Sequence, residues 1–328
     1  MTRETGLEHL TLLGVSPPDL VTVAAAAGFD AVGLRISPVA DGDRPWPVRP
    51  GSPMLAETVR RCADTGIRVL DAEAVRLGAL PVDYGPALEA AAALGARYVN
   101  AICDDPDLSR LSDSFAALTA AAAPYGIRAV VEFMAYRSVR TLAEAVAIAG
   151  RSGGGGVLVD ALHVQRCGVR LSDLRLVDPA LISYVQLCDA PLAAPGAGPA
   201  SADGVHEARA ARLLPGEGEL PLRELLAALP DGIPVAVEAP RAGSGFGLGS
   251  GFGLGSGFGL GSRSRSGWGD GGSPAEFAAR ARQALDSVLR RSTSPVRGAV
   301  QPPVPSPGQA SGQASGQSSV QSQAKERP

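Results

Sequence analysis

The chain has 328 residues, is 45% hydrophobic and carries a formal net charge of −3. That is enough for one large barrel or two smaller domains with a full apolar core, and the charge gives no pull toward nucleic acid or an anionic membrane. The one lysine is Lys325, near the C-terminal end, which excludes a Schiff-base lysine and a phosphate-loop lysine.

In chain order, a strand expected at 9–13 leads to a helix at 17–27, and the alternation repeats. Strands follow at 31–36, 68–74, 98–103, 128–134, 156–162, 183–188 and 234–239. Helices follow at 53–65, 85–95, 108–124, 141–151, 171–177, 221–229 and 274–291. Ser16-Pro17-Pro18-Asp19 and Ser273-Pro274-Ala275-Glu276 are helix starts, with a capping serine before proline in the first turn. Gly28, Gly66, Gly95 and Gly126 each stand just after a helix and just before a strand, where a helix C-terminal glycine belongs. Eight strand–helix units predict an α/β fold, a (β/α)8 barrel over 1–291. The alternative, a doubly wound open sheet, lacks a Gly-x-Gly-x-x-Gly opening the first helix.

Two segments lie apart from this pattern. Residues 241–272 hold three copies of Ser-Gly-Phe-Gly-Leu-Gly and read as a flexible insertion. Residues 292–328, rich in Pro, Gln, Ser and Gly, read as a disordered tail. Cys62, Cys103, Cys167 and Cys188 are scattered and read as reduced thiols. Met1–Glu8 is polar with no apolar run behind it, so a cytoplasmic location is expected.

The chemistry is expected at the strand ends. Four apolar runs, Val130-Val131-Glu132, Val157-Leu158-Val159-Asp160, Tyr184-Val185-Gln186 and Val235-Ala236-Val237-Glu238, each stop at an oxygen donor. Runs of this kind are strands buried on both faces, and the carboxyl ends of barrel strands are where catalytic groups sit. Glu132, Asp160, Gln186 and Glu238 are therefore expected to meet around one divalent cation. An all-oxygen set suits Mg²⁺ or Mn²⁺ more than Zn²⁺. The competing account for any one of them is a polar group capping a loop. His163, three residues past Asp160, is placed to donate a proton or bind substrate, or else to orient Asp160. Asp189 is a fifth ligand or a supporting base. Arg212, with Arg209 nearby, suits a carboxylate, phosphate or hydroxyl of the substrate. Arg35 and Glu73 are candidate substrate contacts at the mouth, with a rim salt bridge the plainer account. His9 and His206 are expected to be structural or exposed.

Through Val131-Glu132-Phe133, the Asp160-x-x-His163 step, Gln186-Leu187-Cys188-Asp189, the Arg212-to-Gly218 turn and Val237-Glu238-Ala239-Pro240, residues 7–290 resemble the xylose isomerase-like TIM-barrel superfamily. The resemblance implies a divalent metal on Glu132, Asp160 and Glu238, with the two glutamates flanking substrate as acid and base. Many sugar epimerases of the group have His where this chain has Gln186. A Gln there is similar to the 3-dehydroshikimate dehydratase branch. Endonuclease IV shares the fold, but it holds three zinc ions on several histidines, whereas this chain has 3 histidines.

The expected activity is metal-dependent isomerisation or epimerisation of a small sugar or hydroxy-ketone through an enediolate. Dehydration is the alternative chemistry, and a non-catalytic binding barrel is the alternative class. A small polyhydroxy carbonyl compound is the expected partner, with no nucleic acid and no membrane, and assembly into oligomers is left open.

Overall fold

The computed structural model describes residues 3–39, 46–241 and 272–292. Eight parallel strands close into a barrel in sequential order, with β8 pairing back to β1. The strands are β1 (Thr5–Glu8), β2 (Ala31–Arg35), β3 (Arg68–Leu77), β4 (Tyr98–Cys103), β5 (Arg128–Glu132), β6 (Gly156–Asp160), β7 (Ile182–Leu187) and β8 (Val235–Val237). Around them run α1 (Pro17–Ala27), α2 (Pro53–Thr65), α3 (Gly85–Ala93), α4 (Leu108–Ala122), α5 (Leu142–Arg151), α6 (Ala161–Arg166), α7 (Leu171–Leu174), α8 (Ala202–Ala210), α9 (Leu222–Ala228) and α10 (Pro274–Ser292). The expected (β/α)8 architecture is the one observed. The repeats at 244–261 and the tail beyond 292 lie outside the described residues.

Local signals account for much of this. The four glycines expected to end helices all have left-handed backbone, with φ between 69° and 84°. Ser273 and Glu276 bond reciprocally at the start of α10. Ser16 differs: its hydroxyl donates to Asp19 at 2.6 Å and caps no backbone group.

The first strand needs correction. It runs Thr5–Glu8, and His9–Leu12, expected to be a strand, is a 3₁₀ turn. Leu12 is fully buried in either reading, so its apolarity does not distinguish them. Two helices were not expected: α6, which begins where the sixth strand was extended to residue 162, and α8, which carries His206.

The barrel interior is layered. Ala31, Leu70, Tyr98, Val130, Leu158, Tyr184 and Ala236 form one buried apolar cluster. Side chains two residues further along a strand face the same way. They are Gly33, Asn100, Glu132, Asp160, Gln186 and Glu238, joined by Glu8 on β1. On β3 a bulge intervenes, since Val32 pairs with Val69 but Gly33 pairs with Asp71. The skipped residue, Leu70, belongs to the apolar ring and Asp71 to the polar one. An apolar plug thus fills the lower barrel, and a ring of polar groups lies directly above it, toward the carboxyl ends of the strands.

Candidate active site

Asp160 is both the last residue of β6 and the cap of α6. Its Oδ1 accepts the His163 backbone N–H at 3.0 Å, which fixes His163 in the first turn of that helix. The His163 Nε2 lies 3.6 Å from Glu132 Oε1, and its Nδ1 has no hydrogen-bond partner. Glu132 Oε2 accepts from Asn100 Nδ2 at 3.3 Å. One potential ligand atom from each of Glu132, Asp160 and His163 lies within 4.8 Å of the others.

Arg212 occupies the other side. Its Nε donates to the Ala208 carbonyl at 2.7 Å, and its Nη1 lies 2.7 Å from Asp160 Oδ2 and 3.0 Å from Glu238 Oε2. The guanidinium therefore ties two of the four expected strand-end donors together with its own charge. Gln186 is fully buried, and neither its amide oxygen nor its nitrogen has a partner. The chain brings Glu132 and Asp160 together with His163, an imidazole where an all-oxygen set was expected, while Glu238 is held on Arg212.

Burial sets the protonation. It pushes Glu132 well above the usual carboxylate range, reinforced by the charges of Asp160 and Glu238. Burial likewise lifts Glu238 to about 8, against the pull of Arg212. At Asp160 burial acts in the same sense, but Arg212 and His163 outweigh it and hold the carboxyl below its ordinary value. Burial lowers His163 to about 4, so the ring is neutral at physiological pH. A neutral imidazole and ionised Asp160 are the forms that can ligate a metal.

Glu132, Glu238, His163 and Arg212 line one cleft with Arg35, Glu73, Asn100 and Arg209, and Leu10, Val39, Ile102, Met134 and Tyr136 supply its apolar wall. Arg35 and Glu73 form a buried ion pair, Nη2 to Oε2 at 2.8 Å, where a rim pair was the plainer expectation. The structure does not bring Asp189 into the site. Its Oδ1 accepts backbone N–H groups from Ala190 and Leu220, and its Oδ2 accepts one from Gly216, each at 2.9 Å, so it ties the Pro-Gly-Glu-Gly turn to the end of β7. His9 is fully buried, accepts the Arg35 backbone N–H on Nδ1 at 3.1 Å and donates from Nε2 to the Val15 carbonyl at 2.9 Å. His206 is exposed on α8.

Residues 21–249 match the sequence profile of the xylose isomerase-like TIM barrel family. The chain belongs to that family. No curated protein sequence matches it. Among solved structures, it is similar to a xylose isomerase-like TIM barrel/4-hydroxyphenylpyruvate dioxygenase fusion protein, with 19% identity and a TM-score of 0.67 over 89% of this chain. The chain spans only 43% of that fusion's length. It is also similar to the IolI protein with a bound zinc atom, with 16% identity, a TM-score of 0.59 and 88% and 97% of the two chains covered. A D-allulose 3-epimerase from Methylomonas sp. in complex with D-allulose gives 16% identity, a TM-score of 0.60 and coverage of 88% and 97%.

The residues present fit a divalent metal. A fully buried amide with both atoms unpartnered, beside a buried carboxylate–imidazole cluster, is a set of polar groups in need of a ligand. Asn100, Tyr136 and Arg137 also line the cleft but were not singled out from the sequence. Asn100 carried a signal, as a lone amide inside the apolar run Tyr98-Val99-Asn100-Ala101-Ile102.

Proposed function

We propose that this chain is a divalent-metal-dependent isomerase or epimerase of a small sugar or sugar-like hydroxy-ketone. The observation that carries this reading is that two buried carboxyls, Glu132 and Glu238, line a single cleft with His163 and Arg212.

Glu132, Asp160 and His163 would hold the metal, with the Gln186 amide beside them and Glu238 as a further ligand once released from Arg212. A bound divalent cation polarises a carbonyl and its neighbouring hydroxyl and acidifies the adjacent C–H. Mn²⁺ or Mg²⁺ suits the oxygens, and the imidazole of His163 widens the choice toward zinc. One of the two glutamates removes the proton from carbon to give an enediolate, and the other returns one. A carboxyl lifted to about 8, as at Glu238, is matched to exchanging protons near neutral pH. Arg212 holds a substrate oxygen in place of Asp160 and Glu238. The apolar wall of Met134, Ile102 and Tyr136 limits the water that competes for these protons.

A second reading, dehydration, is favoured by two features. Arg35, Arg209 and Arg212 all line the cleft, which suits a substrate carboxylate, and the unpartnered Nδ1 of the neutral His163 can hydrogen-bond a departing hydroxyl.

One experiment separates these readings. The Mn²⁺-loaded protein is incubated with a panel of ketoses and hydroxy-keto acids in D₂O and followed by proton NMR and ultraviolet absorbance. The isomerase reading expects deuterium at the carbon beside the carbonyl. A new ultraviolet chromophore selects the dehydratase. Neither signal with any compound, in protein that binds Mn²⁺, would contradict both readings.

A further inference from the structure

A second carboxylate cluster lies on the opposite side of the barrel interior from Asp160. Glu8 on β1 and Asp71 and Glu73 on β3 each offer an oxygen within 4.8 Å of the others. Two oxygens on one hard cation are separated by at most about twice the metal–oxygen distance, roughly 4–5 Å, so this spacing suits such an ion.

Glu8 is fully buried, and neither of its carboxylate oxygens has a hydrogen-bond partner. Asp71 is fully buried as well. Its Oδ2 takes the Tyr184 hydroxyl, while its Oδ1 has no partner. A buried carboxylate left bare in this way is costly. Gly33 makes room for the cluster, because a side chain there would run into Glu8 and Asp71.

The charge balance points the same way. Glu8, Asp71, Glu73, Glu132, Asp160 and Glu238 are all buried at the top of the barrel, against two buried guanidiniums in direct contact with them, Arg35 and Arg212. Six buried carboxyls thus share two buried cationic side chains. Protonation is the other way to remove charge: burial, reinforced by the neighbouring carboxyls, raises Glu8 well above the usual carboxylate range and lifts Asp71 to about 8, so a cation entering here would displace protons.

We propose that Glu8, Asp71 and Glu73 form a second, all-oxygen site for a hard divalent cation beneath the cleft. Glu73 and Arg35 line the cleft, so parting that ion pair would give the cation its way in. The site is independent of the proposed reaction and of the metal on Glu132, Asp160 and His163.

The test is Mn²⁺ binding to the EDTA-stripped full-length chain, with free Mn²⁺ counted by electron paramagnetic resonance. Wild type is expected to take up two ions. Glu8→Gln and Asp71→Asn are each expected to take up one, Glu132→Gln one, and the Glu8→Gln/Glu132→Gln double variant none. Circular dichroism checks that each variant is folded. One ion in wild type that survives Glu8→Gln and Asp71→Asn but is lost in Glu132→Gln would overturn the second site and leave the first intact. One ion lost in Glu8→Gln but kept in Glu132→Gln would uphold this site and overturn the other. No binding in wild type would overturn both.

Discussion

The two rings inside the barrel are built from the same strands and differ by two residues of rise, yet they do opposite work. In the lower ring Leu70, Tyr98, Val130, Leu158 and Tyr184 are buried and packed together, and Tyr98 and Tyr184 stack with centroids 5.0 Å apart. In the upper ring Glu8, Asp71, Asn100 and Gln186 are just as buried, but each leaves polar atoms without partners. The lower ring gains from burial. The upper ring is destabilised by it unless its polar groups gain partners, and a bound ligand is one way to supply them. Unpaired polar groups buried above a well-packed floor point to a site maintained for function rather than stability.

The contrast can be broken at either level. The largest effect is expected from Glu238→Gln, which replaces the carboxyl with an amide that can neither take up nor release a proton. Turnover should fall by about 10²–10⁴-fold with the circular dichroism spectrum unchanged, and wild-type turnover would refute the assignment. Leu158→Ala, in the floor, should do the reverse. It should cost about 2–5 kcal/mol of stability in denaturant unfolding while Mn²⁺ affinity per folded molecule is kept. Gly33→Ala probes the boundary between the rings. Its new methyl meets Glu8 and Asp71, and an overpacking cost of about 1–3 kcal/mol is expected in the same assay.

A further effect is a dependence on pH. Asp71 and Glu238 are both lifted to about 8 in the folded chain. A raised carboxyl pKa stabilises below its unfolded value, and that stability is lost as pH rises through the folded value. The metal-free protein should therefore lose stability between pH 6.5 and 8, by about 1.4 kcal/mol per unit at most for each proton released. Mn²⁺ should flatten the slope. Below pH 6.5 His9 and His163, both lowered to about 4 by burial, act in the opposite sense, because the unfolded chain takes up their protons first. Melting temperatures across this range with EDTA and with Mn²⁺ would check both signs.

How much of this was legible in the sequence depended on how local each signal was. Glu132, Asp160, Gln186 and Glu238 could be read because each ends an unbroken apolar run, and the fold followed from the repeated helix–glycine–strand step. Glu8 was hidden because the strand that carries it is four residues long and was expected to begin at residue 9. Asp71 was hidden because strict alternation puts Leu70 and Asp71 on opposite faces, and only the pairing with β2 reveals the skipped residue. That Arg212 grips Asp160 could not be read, since the two are 52 residues apart in the chain.

The most direct test of a cation at the strand ends is a thermal melt of EDTA-stripped wild type and Glu132→Gln, each with and without Mn²⁺. A rise in the wild-type melting temperature that saturates with Mn²⁺ and shrinks in Glu132→Gln is predicted. Curves that Mn²⁺ leaves unmoved in wild type, or shifts equally in both proteins, would contradict it.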